Sequence, residues 1–358
     1  MNKERIEKYT GSTSMTIVDA MAKIDANSRG ILFIEDDAGK LAGCITDGDI
    51  RRWILAAGDI NACVCEAMTL SPKYLYSNER EMAGRVMKQE VITALPILDR
   101  QRHIEDIILL REGSGCQAKK EKKSLSDVPV VIMAGGKGTR LYPYTRILPK
   151  PLIPIGETPI VERIINRFAE YGISKYYMTV NYKKHMIKSY FADLNPEYEI
   201  TYIEETKPLG TCGSIKLIEE GFDRPLFVTN CDTLITADYA DIYGYHVKSG
   251  NSVTMVSALK NIGLPYGVIH SGDNGEILSI EEKPTMSYFI NTGMYVLNPD
   301  VIDRIPPDRV FHMTHLVQAV MENGGKAGMY PVSEDSFLDM GELGEMKRME
   351  EKLNIVSE

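Results

Sequence analysis

Residues 132–152 read IMAGGKGTRLYPYTRILPKPL, and this stretch decides the fold. It follows a short apolar run, Val128–Met133, with the length and composition of a buried strand. Gly135, Gly136 and Gly138 then form a turn that Thr139 closes. Glycine has no Cβ, so such a turn exposes backbone N–H groups to an incoming phosphate. Arg140 and Lys150 supply fixed positive charge that can neutralise a polyphosphate from two sides. The spacing is not that of a P-loop, which needs Gly-Lys-Ser/Thr at the opening of a helix. Nor is it a dinucleotide fingerprint, because Leu141 stands where the third glycine belongs.

The bulk composition narrows the class. A chain of 358 residues is too long for one ordinary domain, so two are expected, and 44% hydrophobic content supplies cores for both. The formal charge of -9 argues against a general nucleic-acid binder and gives no electrostatic pull toward an anionic membrane. An enzyme for anionic substrates must then rely on local cations. Among six cysteines, Cys63 and Cys65 are one residue too close for a zinc knuckle, so buried free thiols are expected. The polar N-terminus and the lack of any 18-residue apolar run predict a cytoplasmic protein.

Small and polar residues followed by four lysines mark residues 116–127 as a basic linker. It separates an N-terminal module, 1–115, from a segment spanning 128–358. The module carries a weak internal repeat. A helix over 15–25, strands at Ile31–Glu35 and Leu41–Thr46 and a helix over 47–56 precede a helix over 78–88 and strands over 94–99 and 103–110. This order resembles a tandem CBS module, a unit that binds adenine nucleotides between its halves. The resemblance implies an AMP or ATP effector held by Thr46 and Asp49. The plainer reading is that both residues cap the helix that follows. The second repeat lacks an equivalent pair, so at most one such site is expected.

From Val128 onward strands and helices alternate, which predicts an α/β fold: a Rossmann-like, mostly parallel sheet with ligands at the carboxyl ends of its strands. The string Gly-Gly-x-Gly-Thr-Arg-Leu followed by Pro-Lys-Pro resembles the signature of the sugar-1-phosphate nucleotidyltransferases, which have a GT-A-like fold. The resemblance implies that Asp232, after the strand Leu226–Asn230, and Asp339, in Asp-Met-Gly, hold a Mg²⁺ ion. Two carboxylates suffice for Mg²⁺ when phosphate and water complete the octahedron. It also places Gly210 and Thr211 against the nucleotide, with Cys212 where the family has alanine and a helix over 215–220 behind it. The thiol of Cys212 would then be a site open to alkylation or oxidation. Gly267, Glu282, Lys283 and Asn291 fall to the sugar phosphate by the same resemblance.

Glu205 precedes Gly210 by five residues, near the offset where some relatives read the base. A carboxylate there suits guanine, whose N1–H and N2–H₂ are adjacent donors, and repels the carbonyls of uracil or thymine. The expected reaction joins an NTP, with GTP favoured, to a sugar 1-phosphate and releases pyrophosphate. The pairing of CBS repeats with this domain resembles a group of guanylyltransferases for bacterial surface sugars. That group includes the glucosamine 1-phosphate enzymes that feed legionaminic acid synthesis. A dTTP- or UTP-dependent hexose-1-phosphate enzyme and a catalytically inactive nucleotide sensor are the alternatives. Self-association into a homo-oligomer is expected, with no nucleic-acid or membrane partner.

Overall fold

The strand Val130–Ala134 is buried at every position. Its side chains alternate between two cores. Val130, Ile132 and Ala134 enter one, while Val131 and Met133 enter the other. A strand apolar on both faces must be covered on both faces, which is how parallel sheets are built. The computed structural model, which describes residues 3–27, 29–56, 58–90, 92–109, 124–341 and 343–353, puts this strand within a seven-stranded sheet. The order across the sheet is Glu199–Glu204, Lys175–Val180, Val130–Ala134, Leu226–Asn230, Thr285–Leu297, Val253–Gly263 and Ala327–Val332. The first four are mutually parallel, and Thr285–Leu297 runs antiparallel to Leu226–Asn230. The chain winds outward from Val130–Ala134 on one side, then returns to the other side with Leu226–Asn230. This reversal of winding opens a crevice at the carboxyl ends of those two neighbours.

The helix Ile160–Ala169 shows why one face closes. Ile160, Val161, Ile164, Ile165 and Phe168 form a single buried stripe. The ring of Phe168 lies 5.3 Å from Phe227 and 4.5 Å from Tyr239, so it joins helix, sheet and the helix Tyr239–Ser249.

By its contacts the chain forms two units. One comprises Met1–Glu121, Leu259–Tyr288 and Ser333–Asp335, and the other Lys122–Ala258, Phe289–Val332 and Ser336–Glu358. The long strands Val253–Gly263 and Thr285–Leu297 each cross from one unit to the other. Residues 116–123 of the expected linker lie outside the described residues. Its last part, Ser124–Asp127, is anchored: Leu125 is buried and its N–H bonds the Tyr171 carbonyl at 2.8 Å.

The first unit contains the internal repeat. Thr10–Ser12 pairs in parallel with Ile31–Glu35, which pairs antiparallel with Leu41–Thr46. Leu75–Tyr76, Ala94–Leu98 and Ile104–Leu109 repeat the same arrangement. Phe33 and Leu41 from the first copy share a core with Leu98 and Ile107 from the second. The segment expected as one helix over 78–88 is a 3₁₀ turn, Ser77–Met82, followed by the helix Ala83–Gln89. Cys65 is exposed and Cys63 half-buried, so they are not the buried thiols expected. Among the described residues no helix is long and apolar enough to cross a membrane.

Removing the Phe168 ring leaves a void that its aromatic neighbours cannot close. Phe168→Ala should cost about 3–5 kcal/mol of stability, read as a lowered urea midpoint with an unchanged slope.

Candidate active site

The carboxyl ends of Val130–Ala134 and Leu226–Asn230 open into a cavity of about 380 Å³. The glycine turn forms one wall, through Gly135, Gly136, Gly138 and Thr139. Arg140, Lys150, Glu205, Gly210, Thr211 and Asp232 complete most of the rest. Residues chosen from four separate stretches of sequence therefore meet around one space.

Two glycines are dictated by their neighbours. A Cβ on Gly135 would lie 2.6 Å from Glu205 Oε1, closer than any real contact. Gly138 adopts φ +64°, where a side chain is strained, and a Cβ there would meet the Lys150 Cβ at 2.9 Å. The turn is thus packed directly against two of the charged groups.

Lys150 and Asp232 form an ion pair and are each only 9% exposed. The pair needs both partners, since either charge alone would be buried without compensation. Asp339 comes to the same place through strand pairing. Phe337–Asp339 runs antiparallel to Thr233–Ile235 with Asp339 opposite Thr233, and Met340 N–H donates to the Asp232 carbonyl at 2.9 Å. Burial pushes the Asp339 carboxyl above its ordinary range, and the Asp232 charge adds to this. Lys150 and Arg140 act in the opposite direction. The four side chains thus form one electrostatic cluster.

A second cavity of about 240 Å³ adjoins the cluster. It shares Arg140, Thr211, Asn230 and Asp232 with the first and adds Asn291, Tyr295, Thr314 and Asp339. Asn291 is fixed at both ends of its amide: Nδ2 donates to Tyr295 Oη at 2.5 Å, and Oδ1 accepts from Gly293 N–H at 3.0 Å.

Glu205 is buried and accepts a hydrogen bond from Ser214 Oγ at 2.5 Å. Its neighbour Glu204 is exposed and is bonded by Lys184 and Lys188, which hold its carboxyl down at about 2. One carboxylate thus faces the cavity and the next faces solvent, as successive residues at a strand end must. Cys212 is fully buried and does not line either cavity, and burial pushes its thiol up to about 12. The expected exposure of that thiol to modifying reagents is therefore corrected. Behind it the chain forms a short 3₁₀ turn, Gly213–Leu217, in place of the expected helix over 215–220.

Gly267, Glu282 and Lys283 belong to the other unit, on and beside the hairpin Val268–Ser271/Ile277–Glu281. Within it Glu282 Oε2 approaches the Cβ position of Gly267 at 3.0 Å, and Lys283 has φ +48°. Thr46 and Asp49, also in that unit, bond one another in a capping box. Asp49 Oδ2 accepts from Thr46 N–H at 3.0 Å and from its hydroxyl at 2.6 Å, while Oδ1 pairs with Arg52. Asn230, Tyr295 and Thr314 line the cavities without any motif to announce them. Only Asn230, two residues before Asp232 at a strand end, had a position that could have been read.

Among the described residues no three of the His, Cys, Asp or Glu side chains converge as a metal cluster. What is present is the Asp232–Asp339 pair, beside two cations and a glycine turn at a switch point. These features define a class of α/β protein with its candidate site at the carboxyl edge of the sheet, at a switch point. The sequence profile of the nucleotidyl transferase family matches residues 129–354, and the chain belongs to that family. A CBS domain profile matches residues 10–56, the first of the two repeats.

Mannose-1-phosphate guanyltransferase of Debaryomyces hansenii is 36% identical over 184 residues, 49% of this chain and 51% of that protein. UTP–glucose-1-phosphate uridylyltransferase of Synechocystis sp. is 33% identical over 202 residues, 51% of this chain and 52% of that protein. The chain thus spans about half the length of the curated relatives it matches. HddC of Yersinia pseudotuberculosis, solved alone and complexed with GMP-PN, superposes with a TM-score of 0.50 at 25% identity. That match covers 63% of this chain and 99% of HddC.

The contact between Gly135 and Glu205 is testable by a double-mutant cycle. Gly135→Ala should lose about 1–3 kcal/mol by overpacking. Added to Glu205→Ala it should cost much less, because the clashing carboxylate is gone. Strict additivity in chemical denaturation would show that the two positions do not press on each other.

Proposed function

We propose that this chain transfers a nucleotidyl group from an NTP to a sugar 1-phosphate and releases pyrophosphate. The observation that carries this reading is the pair of adjoining cavities. They share Arg140, Thr211, Asn230 and Asp232, with the glycine turn on one side and Asn291 and Asp339 on the other. Two phosphorylated substrates side by side need such a junction, where both sets of negative charge meet Arg140, with Lys150 in the wall of the first cavity.

The acceptor needs no protein nucleophile, because a sugar phosphate is already ionised at neutral pH. Its oxygen attacks the α-phosphorus in line, a new P–O bond forms, and the bond to the bridging oxygen of pyrophosphate breaks. Arg140, exposed at the shared wall, neutralises the β- and γ-phosphates and the leaving group. Lys150, buried and held by Asp232, meets the α-phosphate and the sugar phosphate where charge builds up. Asp232 and Asp339 would hold a Mg²⁺ ion, which when bound screens phosphate repulsion and polarises the α-phosphate. The pair fits such an ion, since strand pairing with Thr233 and the bond from Met340 N–H to the Asp232 carbonyl bring two carboxylates to one place. Gly267, Glu282 and Lys283 are assigned to the sugar phosphate on their motif alone.

GTP is the proposed donor. Glu205 lines the first cavity, buried, with a carboxylate suited to guanine's two adjacent donors. The guanyltransferase relatives and the GMP-PN complex of HddC support that choice. The uridylyltransferase relative makes UTP the second reading. Glucosamine 1-phosphate is the proposed acceptor, on the sequence resemblance. The CBS repeats are proposed to regulate the enzyme through an adenine nucleotide at Thr46 and Asp49, which must then loosen their capping box. A rate that AMP and ATP leave unchanged in both the parent protein and Asp49→Ala would remove that idea.

The deciding assay is Mg²⁺-dependent pyrophosphate release over a grid of nucleoside triphosphates and sugar 1-phosphates. Turnover with GTP and glucosamine 1-phosphate is expected. Lys150→Ala should lower kcat by about 10²–10³-fold, in a protein that also loses stability because Asp232 is left buried and unpaired. Lys150→Arg should not restore it, because a planar fork cannot replace a compact charge. Near-parent turnover in Lys150→Ala would overturn that role, and silence across the grid would overturn the reaction.

A further inference from the structure

The loop that carries Gly210 and Thr211 is held by a segment about a hundred residues away. Phe311 N–H donates to the Leu209 carbonyl at 2.9 Å, and the Phe311 carbonyl accepts from Cys212 and Gly213 N–H at 3.0 and 3.2 Å. These bonds grip the loop on either side of Thr211, one of the residues that line both cavities. Thr211 itself is held through side chains. Its Oγ1 accepts the N–H of Met313, the first residue of the helix Met313–Glu322, at 3.1 Å. Its own N–H points at His312 Nδ1 at 3.4 Å, and the same ring nitrogen stands 3.5 Å from Oγ1. His312 is the N-cap of that helix and forms a capping box with His315. The Nδ1 of His315 accepts the His312 N–H at 3.4 Å, and the two rings lie 5.3 Å apart.

An N–H aimed at a ring nitrogen requires a lone pair there, so Nδ1 is the accepting nitrogen of this contact. The contact is long for a hydrogen bond.

We propose that His312 is a positioning residue for nucleotidyl transfer. Its Nδ1 holds the Thr211 N–H and so sets the Gly210–Thr211 loop at the junction of the two cavities. This inference rests on the reaction proposed above and adds a residue that no motif in the sequence marked. His312 does not touch the reacting atoms. It fixes the backbone against which the nucleotide is held.

The test compares the full-length parent protein with His312→Ala, His312→Asn and His312→Gln. Asparagine keeps an acceptor oxygen where Nδ1 stood, whereas glutamine moves the acceptor to the place of Nε2. Loss of one net hydrogen bond should raise the KM for NTP about 5–10-fold in the alanine and glutamine variants, with kcat within about threefold. Asparagine should return KM to within about twofold of the parent, with thermal midpoints alike across the set. An unchanged KM in alanine, or an asparagine variant no better than glutamine, would overturn the proposal. If the parent protein turns over no substrate, the reaction itself fails. The same four proteins are then compared by GTP titration calorimetry, where the same order of affinities is expected and equal affinities overturn the role of His312.

Discussion

The buried ion pair between Lys150 and Asp232 is the constraint on which the site depends. It spans 82 positions of sequence and joins the loop after the glycine turn to the end of a different strand. Two charges taken from water must find each other or cost several kcal/mol each. That requirement holds the glycine turn over the crevice and presents both charges to its cavity. Asp339 is drawn into the same field by strand pairing with Thr233, which explains why burial and the Asp232 charge both raise its carboxyl.

The arrangement sets two cations, Arg140 and Lys150, among the carboxylates of Glu205, Asp232 and Asp339 in a protein whose net charge is -9. Anionic substrates gain nothing from the overall field, so the attraction must be local. In the proposed reaction Arg140, Lys150 and the cation that Asp232 and Asp339 would hold provide it, at a place where the sheet reverses its winding and backbone N–H groups are free of ladder bonds. Membership of the nucleotidyl transferase family agrees with this geometry. The division between the cavity residues and the hairpin that carries Gly267, Glu282 and Lys283 follows from two long strands that leave the sheet and return.

Much of the site was legible because strand ends and turns leave strong local marks. The apolar run before Gly135, the apolar strand before Asp232 and the Asp-Met-Gly of Asp339 each have short-range signatures. The strands Ile31–Glu35, Leu41–Thr46 and Leu226–Asn230 were readable to the residue, since alternation or a continuous apolar run marks a strand locally. The expected helix over 215–220 was not found, because Gly213 N–H bonds the distant Phe311 carbonyl and the chain settles into a 3₁₀ turn. The burial of Cys212 escaped for a similar reason: a cysteine beside a glycine reads the same whether its side chain faces a cavity or a core. Cys63 and Cys65 were misjudged because exposure depends on what packs over a turn.

By itself the sequence determined the strand and glycine turn that open the candidate site, the parallel α/β architecture and the repeat that precedes it. These rest on periods of two and 3.6 residues and on glycine at fixed offsets, all of which are local. Only the tertiary structure decided that Lys150 pairs with Asp232, that Glu205 presses on Gly135, and that His312 and Met313 grip Thr211. Those contacts join residues that are distant along the chain. Their partners are chosen by burial and by the need of each buried polar group for a bond, which no local pattern encodes.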